Sequence, residues 1–451
     1  MKTYNLSQTQ LGIYLTCTSE SKEDGNYNLD MLYRLDPEID TQRLASALDA
    51  VIAAHPYVKS RIVAGPEGLP VFEDRSDEEF RTSRTGIGSL EEVRSSFGAD
   101  YKLLGDRLFR LEIYETQNEG NWLYADFHHI IFDGMSWFVL REDLAKAYAG
   151  EALEKEDFDG FKAVLDEEKL RSSDFYSEAR DWYVREFGPA AELESMLLPD
   201  RFGEEDGHFE KLWQKLDIDL EEVKKLCAKE GVKESAVYSA AFGFTLSKFI
   251  CEKEVLYTTA WHGRPGKEMR HSFNMMVKTL PVYQNIGLVD TVGELISKTQ
   301  EQTRNARRYS VYSFADAHED IGINADINFV YQGTLHDLNI ELDGKIQYAE
   351  SLVTHTPGFK FLGMLMIEEG VPYIWCEYKP SRFSENFIKG FWESFALVVR
   401  EMCIKEKLSE IELSTPAQKA VLDSFNAGYS GSEMRSTASA SFIIKLILSL
   451  G

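Results

Sequence analysis

The stretch from Leu123 to Tyr148 constrains this chain more than any other. Leu123, Ala125 and Phe127 alternate with Tyr124, Asp126 and His128, the period of two that a pleated strand imposes on its side chains. Asp133-Gly134 breaks that alternation, as a tight turn does. Beyond it Trp137, Phe138, Leu140, Leu144 and Tyr148 recur at helical spacing, with Asp133 or Ser136 in place to cap the amides of the first turn. Two adjacent histidines, His128 and His129, therefore stand at a strand end, just ahead of a helix N-terminus. Neighbouring strand side chains point to opposite faces, so the two imidazoles cannot enter one pocket together. One is expected to act and the other to support it. Imidazole titrates near neutrality and can accept or share a proton, while Asp133 is placed to fix the loop through a buried ion pair. Gly134 allows close approach of substrate or backbone. Adjacent histidines alone are more often surface or satisfied core residues, and Asp-Gly is more often only a turn. Their combination at a strand-to-helix junction is what points to a site.

Composition bounds the rest. A chain of 451 residues with 43% hydrophobic content exceeds what one core usually holds, so two lobes are expected. A formal charge of −26 disfavours nucleic acid and anionic membrane as partners. The cysteines Cys17, Cys227, Cys251, Cys376 and Cys403 are scattered, odd in number and without metal spacing. That usage suits a reducing compartment and implies neither a disulfide framework nor a metal site. The N-terminus lacks the apolar run of a signal peptide and no segment approaches the length of a bilayer span, so a cytoplasmic location is expected.

Read in order, the chain opens with a capped helix at Ser7-Gln-Thr-Gln-Leu-Gly-Ile-Tyr-Leu. A second helix is capped by Asp40, carries Leu44, Leu48, Val51 and Ile52 on one face, and ends at His55-Pro56. A half-buried strand at 108–114 is expected to pair with the histidine strand through the turn Asn118-Glu-Gly-Asn121. The charge-dense run 151–170 reads as solvated surface between lobes. Residues 235–250 form a buried helix and 255–261 a buried strand ending at His262-Gly263-Arg264. Thr291 and Glu294 supply a capping box, 326–333 a strand, 364–378 a hairpin around Glu369-Gly370, and 384–406 a closing helix.

The sequence His128-His129-x-x-x-Asp133-Gly134 resembles the signature of the superfamily that includes chloramphenicol acetyltransferase and the dihydrolipoyl acyltransferases. Length and flanking segments resemble one member, the condensation domain of nonribosomal peptide synthetases. The Ser7 helix, His55 and Arg61, the segment 173–183, Phe273 to Pro281 and Ser310 to Asp320 resemble further motifs of that domain, in its order; His55 and Arg61 match loosely and read as structural. Lys278 stands where asparagine is usual. The resemblance implies an α/β (α+β) fold of two chloramphenicol-acetyltransferase-like lobes, a V-shaped pseudo-dimer with a tunnel between them. The corresponding boundaries are 1–165 for the lobe carrying the motif, 166–426 for the second lobe, and 427–451 for a linker and tail.

The implied activity is amide-bond formation between an acyl or peptidyl thioester on one carrier protein and the amine of an aminoacyl group on another. His129 is implied as base or positioner of the amine, with His128 and Asp133 supporting it. Asp133 is expected to pair with Arg264 across the lobe junction. Gly134 and the helix N-terminus are implied at the oxyanion, and Ser136 as a helix cap or a donor to an intermediate. No resident cofactor is implied, because phosphopantetheine comes with the donor and acceptor carrier proteins. A neighbouring adenylation domain is a further expected partner, and the excised domain is expected to be monomeric. The first motif begins close to Met1, which resembles a starter domain that N-acylates a first residue with a fatty acyl group. Epimerisation domains share HHxxxD and often Ser-Trp after it, as in Ser136-Trp137. They also carry an acidic Glu-Gly-His-Gly-Arg motif, where this chain has Thr259-Ala260-Trp261-His262-Gly263-Arg264, without that glutamate. A recruitment platform without catalysis is the alternative outside enzymes.

Overall fold

Two apolar sheet faces, each closed by helices, organise the chain in the computed structural model. It describes residues 2–18, 27–193, 197–204, 207–334, 337–352, 359–415 and 418–420. The chain divides into two units, both of mixed α/β class. The first comprises Met1–Ser177, His262–Lys278 and Asp337–Pro357, and the second Glu178–Trp261, Thr279–His336 and Gly358–Gly451. The first boundary thus falls later than the expected 165, and the second lobe is not the continuous 166–426. The charge-dense run conceals a helix, Gly160–Arg171, capped by Asp159 and seated through Phe161 and Val164. Lys162, Asp166 and Lys169 lie on the solvated face of this element, which belongs to the first unit. The expected tail, 427–451, lies outside the described residues.

In the first unit a six-stranded sheet runs in the order Ile340–Leu342, Lys345–Ser351, Asn28–Arg34, Asn121–His128, Phe109–Thr116, Ser83–Ile87. Asn121–His128 is central and antiparallel to both neighbours, with Asn28 opposite His128 and Phe109 opposite Phe127. One face packs against the helices Thr41–Ala54 and Gly134–Tyr148, where Leu44, Leu48, Val51, Leu140 and Leu144 are at most 1% exposed. The other face, which the alternation assigns to polar residues, is also covered. Phe97 stacks on Tyr124, and the Tyr101 hydroxyl donates to the Asp126 carbonyl.

The second unit has its own six-stranded sheet, in the order Lys278–Asn285, Glu254–Trp261, Ile327–Gly333, Phe361–Glu368, Val371–Tyr378, Glu210–Lys215. Ile327–Gly333 pairs parallel with both of its neighbours. The hairpin turn at Glu369-Gly370 takes positive φ at both positions, 49° and 79°, as a two-residue turn between twisted strands requires. Glu234–Ile250 is buried almost all round because small residues alternate with aromatic ones. The closing helix Glu385–Ile404 brings Phe387, Phe391, Phe395, Val398 and Val399 into the same core. Among the described residues no helix is long and apolar enough to cross a membrane.

Gly160 is buried, and a Cβ there would overlap the Tyr57 ring. Gly160→Ala is therefore expected to destabilise the protein by about 1–3 kcal/mol through overpacking. Gly12→Ala, whose Cβ meets nothing within 4 Å, should be neutral or slightly stabilising. Urea midpoints compare the two, and equal midpoints would count against this packing.

Candidate active site

The site begins where the strand Asn121–His128 ends. The Ile130 amide donates to His128 Nδ1 at 3.1 Å, so that nitrogen is an acceptor and the proton sits on Nε2, 3.9 Å from Cys17 Sγ. His128 is 3% exposed, with Tyr101 edge-on to it. Burial, and secondarily the neighbouring His129, push its pKa down to about 3, so it is neutral at physiological pH. His129 is arranged the opposite way. Its Nδ1 lies 2.8 Å from the Phe132 carbonyl oxygen, which can only accept, so Nδ1 carries the proton and Nε2 the lone pair. His129 is partly exposed. Two adjacent histidines are held in opposite tautomers by their own backbone, one buried and one open.

The loop that does this is tied down from below. Asp133 is wholly buried and caps the helix Gly134–Tyr148. Its Oδ1 accepts from the Ser136 amide and lies 3.1 Å from the Ser136 hydroxyl; its Oδ2 accepts from Arg264 Nη1 at 2.6 Å and from the Met276 amide at 3.0 Å. Arg264, also wholly buried, adds bonds to the carbonyls of His262, Ser272 and Asn274. The segment 262–276 is thus wound around one ion pair. Gly263 makes this possible: its φ is +69°, and a Cβ would collide with the Met276 carbonyl. Both partners belong to the first unit, so the pair expected across a lobe junction lies inside one unit. Ser136 is not the cap. It sits in the first turn, wholly buried, its hydroxyl accepting from the Asn274 amide and Arg264 Nη2, with Asp133 Oδ1 and the Asn274 carbonyl as acceptors for its proton. No part of that hydroxyl is left for an intermediate. Gly134, by contrast, is exposed, and a Cβ there meets nothing within 4 Å.

Other residues enter from a distance. Gln10 is 1% exposed, and its side-chain amide donates to the Ile130 carbonyl and to the Tyr57 hydroxyl, both at 2.9 Å. It steadies the turn between His129 and Asp133. Its only trace in the sequence is its position in the opening helix. Arg61 makes a paired contact with Glu78 at 2.8 and 2.9 Å. His55 is wholly buried between Asp143 Oδ2 and Glu156 Oε2, at 2.8 and 3.0 Å, and stacks on Phe273. Burial alone would lower the His55 pKa, but the bonds to Asp143 and Glu156 outweigh it and hold it above its ordinary value. Lys278 is 2.8 Å from Glu167.

Residues 1–422 match the family model of the condensation domain. Among curated proteins the chain is similar to bacitracin synthase 3 of Bacillus licheniformis, 23% identical over 434 residues, covering 93% of this chain and 7% of that protein. It spans between 7% and 14% of the length of the first curated relatives it matches. Among solved structures its fold is similar to a four-domain nonribosomal peptide synthetase bound to AMP and glycine, with a TM-score of 0.77 at 15% identity, over 93% of this chain and 34% of that one. It is also similar to the X-domain of teicoplanin biosynthesis in complex with OxyB, with a TM-score of 0.73 at 15% identity, over 92% of this chain and 97% of that one.

Two outcomes are expected from this geometry. Asp133→Ala leaves the Arg264 guanidinium buried without its partner and is expected to lower stability by about 3–5 kcal/mol. The double variant Asp133→Ala/Arg264→Met should recover much of that loss, and chemical denaturation of the three proteins decides it. Because the folded-state pKa of His128 is depressed, the unfolded chain binds a proton below pH about 6.5 that the native chain refuses until about 3. This residue therefore subtracts stability as pH falls through that window, by roughly 1 kcal/mol per pH unit. His128→Asn, whose Oδ1 replaces Nδ1 as acceptor, should show a shallower loss between pH 6.5 and 5. Parallel slopes would exclude the buried neutral state.

Proposed function

The chain belongs to the condensation-domain family, and on that premise we propose that it forms an amide bond between a carrier-bound acyl or peptidyl thioester and the amine of a carrier-bound aminoacyl group. A thioester carbonyl is already electrophilic, so the reaction needs a neutral amine and correct placement. An α-amine with pKa near 8 is mostly protonated at neutral pH, and an acceptor beside it increases the reactive fraction. The observation that carries this proposal is the fixed tautomer of His129. Its Nδ1–H is held by the Phe132 carbonyl, which leaves Nε2 as a lone pair on the exposed side of the motif. That nitrogen accepts a hydrogen bond from the amine, takes its proton as the tetrahedral intermediate forms, and returns it to the departing thiolate. The exposed Gly134 at the helix N-terminus is the donor for the oxyanion. His128, Asp133, Arg264 and Ser136 hold the loop and meet no substrate.

No resident cofactor takes part: the phosphopantetheine thioesters are substrates delivered by donor and acceptor carrier proteins, and a neighbouring adenylation domain loads the acceptor. Epimerisation needs a second acid or base, and the stretch Thr259-Ala260-Trp261 ahead of His262-Gly263-Arg264 supplies no acidic residue. The test is amide formation from acyl- and aminoacyl-loaded carriers, with peptidyl and fatty acyl donors in the panel and products identified by mass spectrometry. His129→Ala is expected to reduce turnover by about 10²–10⁴ without changing the melting temperature. Inactive wild type that still binds loaded carriers would replace the enzyme with a recruitment platform. Gly134→Ala is expected to keep its fold, because the new methyl meets no protein atom, and to lose activity because it meets the substrate. Full activity in that variant would remove Gly134 from the site.

A further inference from the structure

Nearly three turns along the helix that Asp133 caps, Asp143 gathers residues that the proposed chemistry does not use. Its Oδ2 is 2.8 Å from His55 Nε2 and its Oδ1 is 3.0 Å from His271 Nε2, and the ligand atoms of these three side chains lie within 4.8 Å of one another. We propose that His55, Asp143 and His271 bind one divalent transition-metal ion, zinc being the ion that two imidazoles and a carboxylate suit. Such a donor set leaves a fourth position open to water.

Independent features of the surroundings support this. His55 Nδ1 is 3.0 Å from Glu156 Oε2, and its ring stacks on Phe273 with centroids 4.0 Å apart and planes within 10°. A metal-bound histidine almost always gives its other N–H to such an acceptor, which fixes the ring and turns the remaining lone pair to the ion. The same Glu156 is 7% exposed, and its Oε1 has no hydrogen-bond partner among the described residues. One nearly inaccessible carboxylate beside the three side chains therefore still has acceptor capacity to spare. There is also a way in, because a cavity of about 410 Å³ is lined by Asp143, Glu156 and His271 together with Lys146, Lys267 and Glu268. Lys146 Nζ lies 3.3 Å from Asp143 Oδ1, but its side chain is 47% exposed and free to turn into solvent.

Binding moves the proton between His271 Nε2 and Asp143 Oδ1 through solvent to His271 Nδ1, and replaces the proton between His55 Nε2 and Asp143 Oδ2, which leaves to solvent, with the ion. The two ligand atoms then part to the roughly 3.3 Å that tetrahedral bonds of about 2.0–2.1 Å require. His271 and Phe273 lie in the segment whose Ser272, Asn274 and Met276 backbone groups surround Arg264 and Asp133. The ion thus clamps to the helix the chain that holds the motif loop, and stabilises the native state by an amount that grows with the logarithm of its free concentration above Kd.

The test is titration of the EDTA-dialysed full chain with cobalt(II), read by the ligand-field absorption of tetrahedral cobalt, with zinc competition and thermal melts alongside. One equivalent is expected to bind, and excess zinc to raise the melting temperature by several degrees. His271→Ala, which removes a half-exposed imidazole, should melt like the metal-free wild type, weaken binding at least tenfold and abolish the zinc-dependent rise. Lys146→Met removes the competing cation without touching a ligand and should tighten binding several-fold. No stoichiometric binding by the wild type, binding that survives His271→Ala, or unchanged affinity in Lys146→Met would each overturn the proposal.

Discussion

The buried pair between Asp133 and Arg264 is the interaction on which the rest of the first unit's architecture depends. Taking a carboxylate and a guanidinium fully out of water costs several kcal/mol each, and their mutual attraction offsets this only where the remaining hydrogen-bonding positions are also filled. Both Asp133 oxygens have two partners, and Arg264 bonds three backbone carbonyls as well as Asp133 and Ser136, with only its Nε lacking a partner among the described residues. Such a pair adds less to stability than apolar packing of the same volume would. It contributes definition, because only one path of residues 262–276 presents those carbonyls and the Met276 amide together. Asp133 is also the helix cap, so the helix N-terminus and that returning segment are fixed by one carboxylate.

From this follows the state of the two histidines. The Phe132 carbonyl that receives the His129 proton belongs to the residue before Asp133, and the Ile130 amide that donates to His128 lies within the same turn. Holding the turn therefore sets both tautomers. A mobile loop would let His129 exchange its proton between nitrogens, and the exposed one would present a lone pair for only part of the time. His128 is kept neutral by burial, so that it adds no positive charge beside His129. The two imidazoles share a sequence motif and are held in opposite tautomers.

What the sequence discloses and what it conceals follow from range. The strand-turn-helix junction, the Asp40 cap, the capping residue Thr291, the hairpin at Glu369-Gly370 and the buried helix near 235–250 rest on neighbours in the chain, and all are found. The second face of the histidine strand was not legible, because Phe97 and Tyr101 cover it from a separate loop. Nor was the first unit's reach into 262–278 and 337–357, since pairing of Lys345–Ser351 with Asn28–Arg34 leaves no local signal. His55 could be read as the end of a helix, whereas its three neighbours Asp143, Glu156 and Phe273 lie far apart in sequence and each is unremarkable alone. The run 151–170 misled for a different reason: one turn of apolar residues, Phe161 and Val164, is enough to seat a helix whose other faces are charged.

Lys278 shows how a departure from a motif is absorbed. Where asparagine is usual, its ammonium reaches Glu167 at 2.8 Å, with the two side chains only 18% and 14% exposed. The other oxygen of Glu167 accepts from the Gln8 amide at 2.7 Å, at the start of the opening helix. Two residues on, Gln10 donates to the Ile130 carbonyl, within the loop that orients His129. The substitution therefore exchanges a neutral amide for an ion pair while keeping that stretch tied, through Glu167, to the helix that supports the motif. A partly buried charge needs its counter-charge nearby, so Lys278 and Glu167 are one unit in this chain. Which side chain occupies a motif position matters less than whether its partner can supply the complementary group, and here the partner lies on the helix that the charge-dense run concealed.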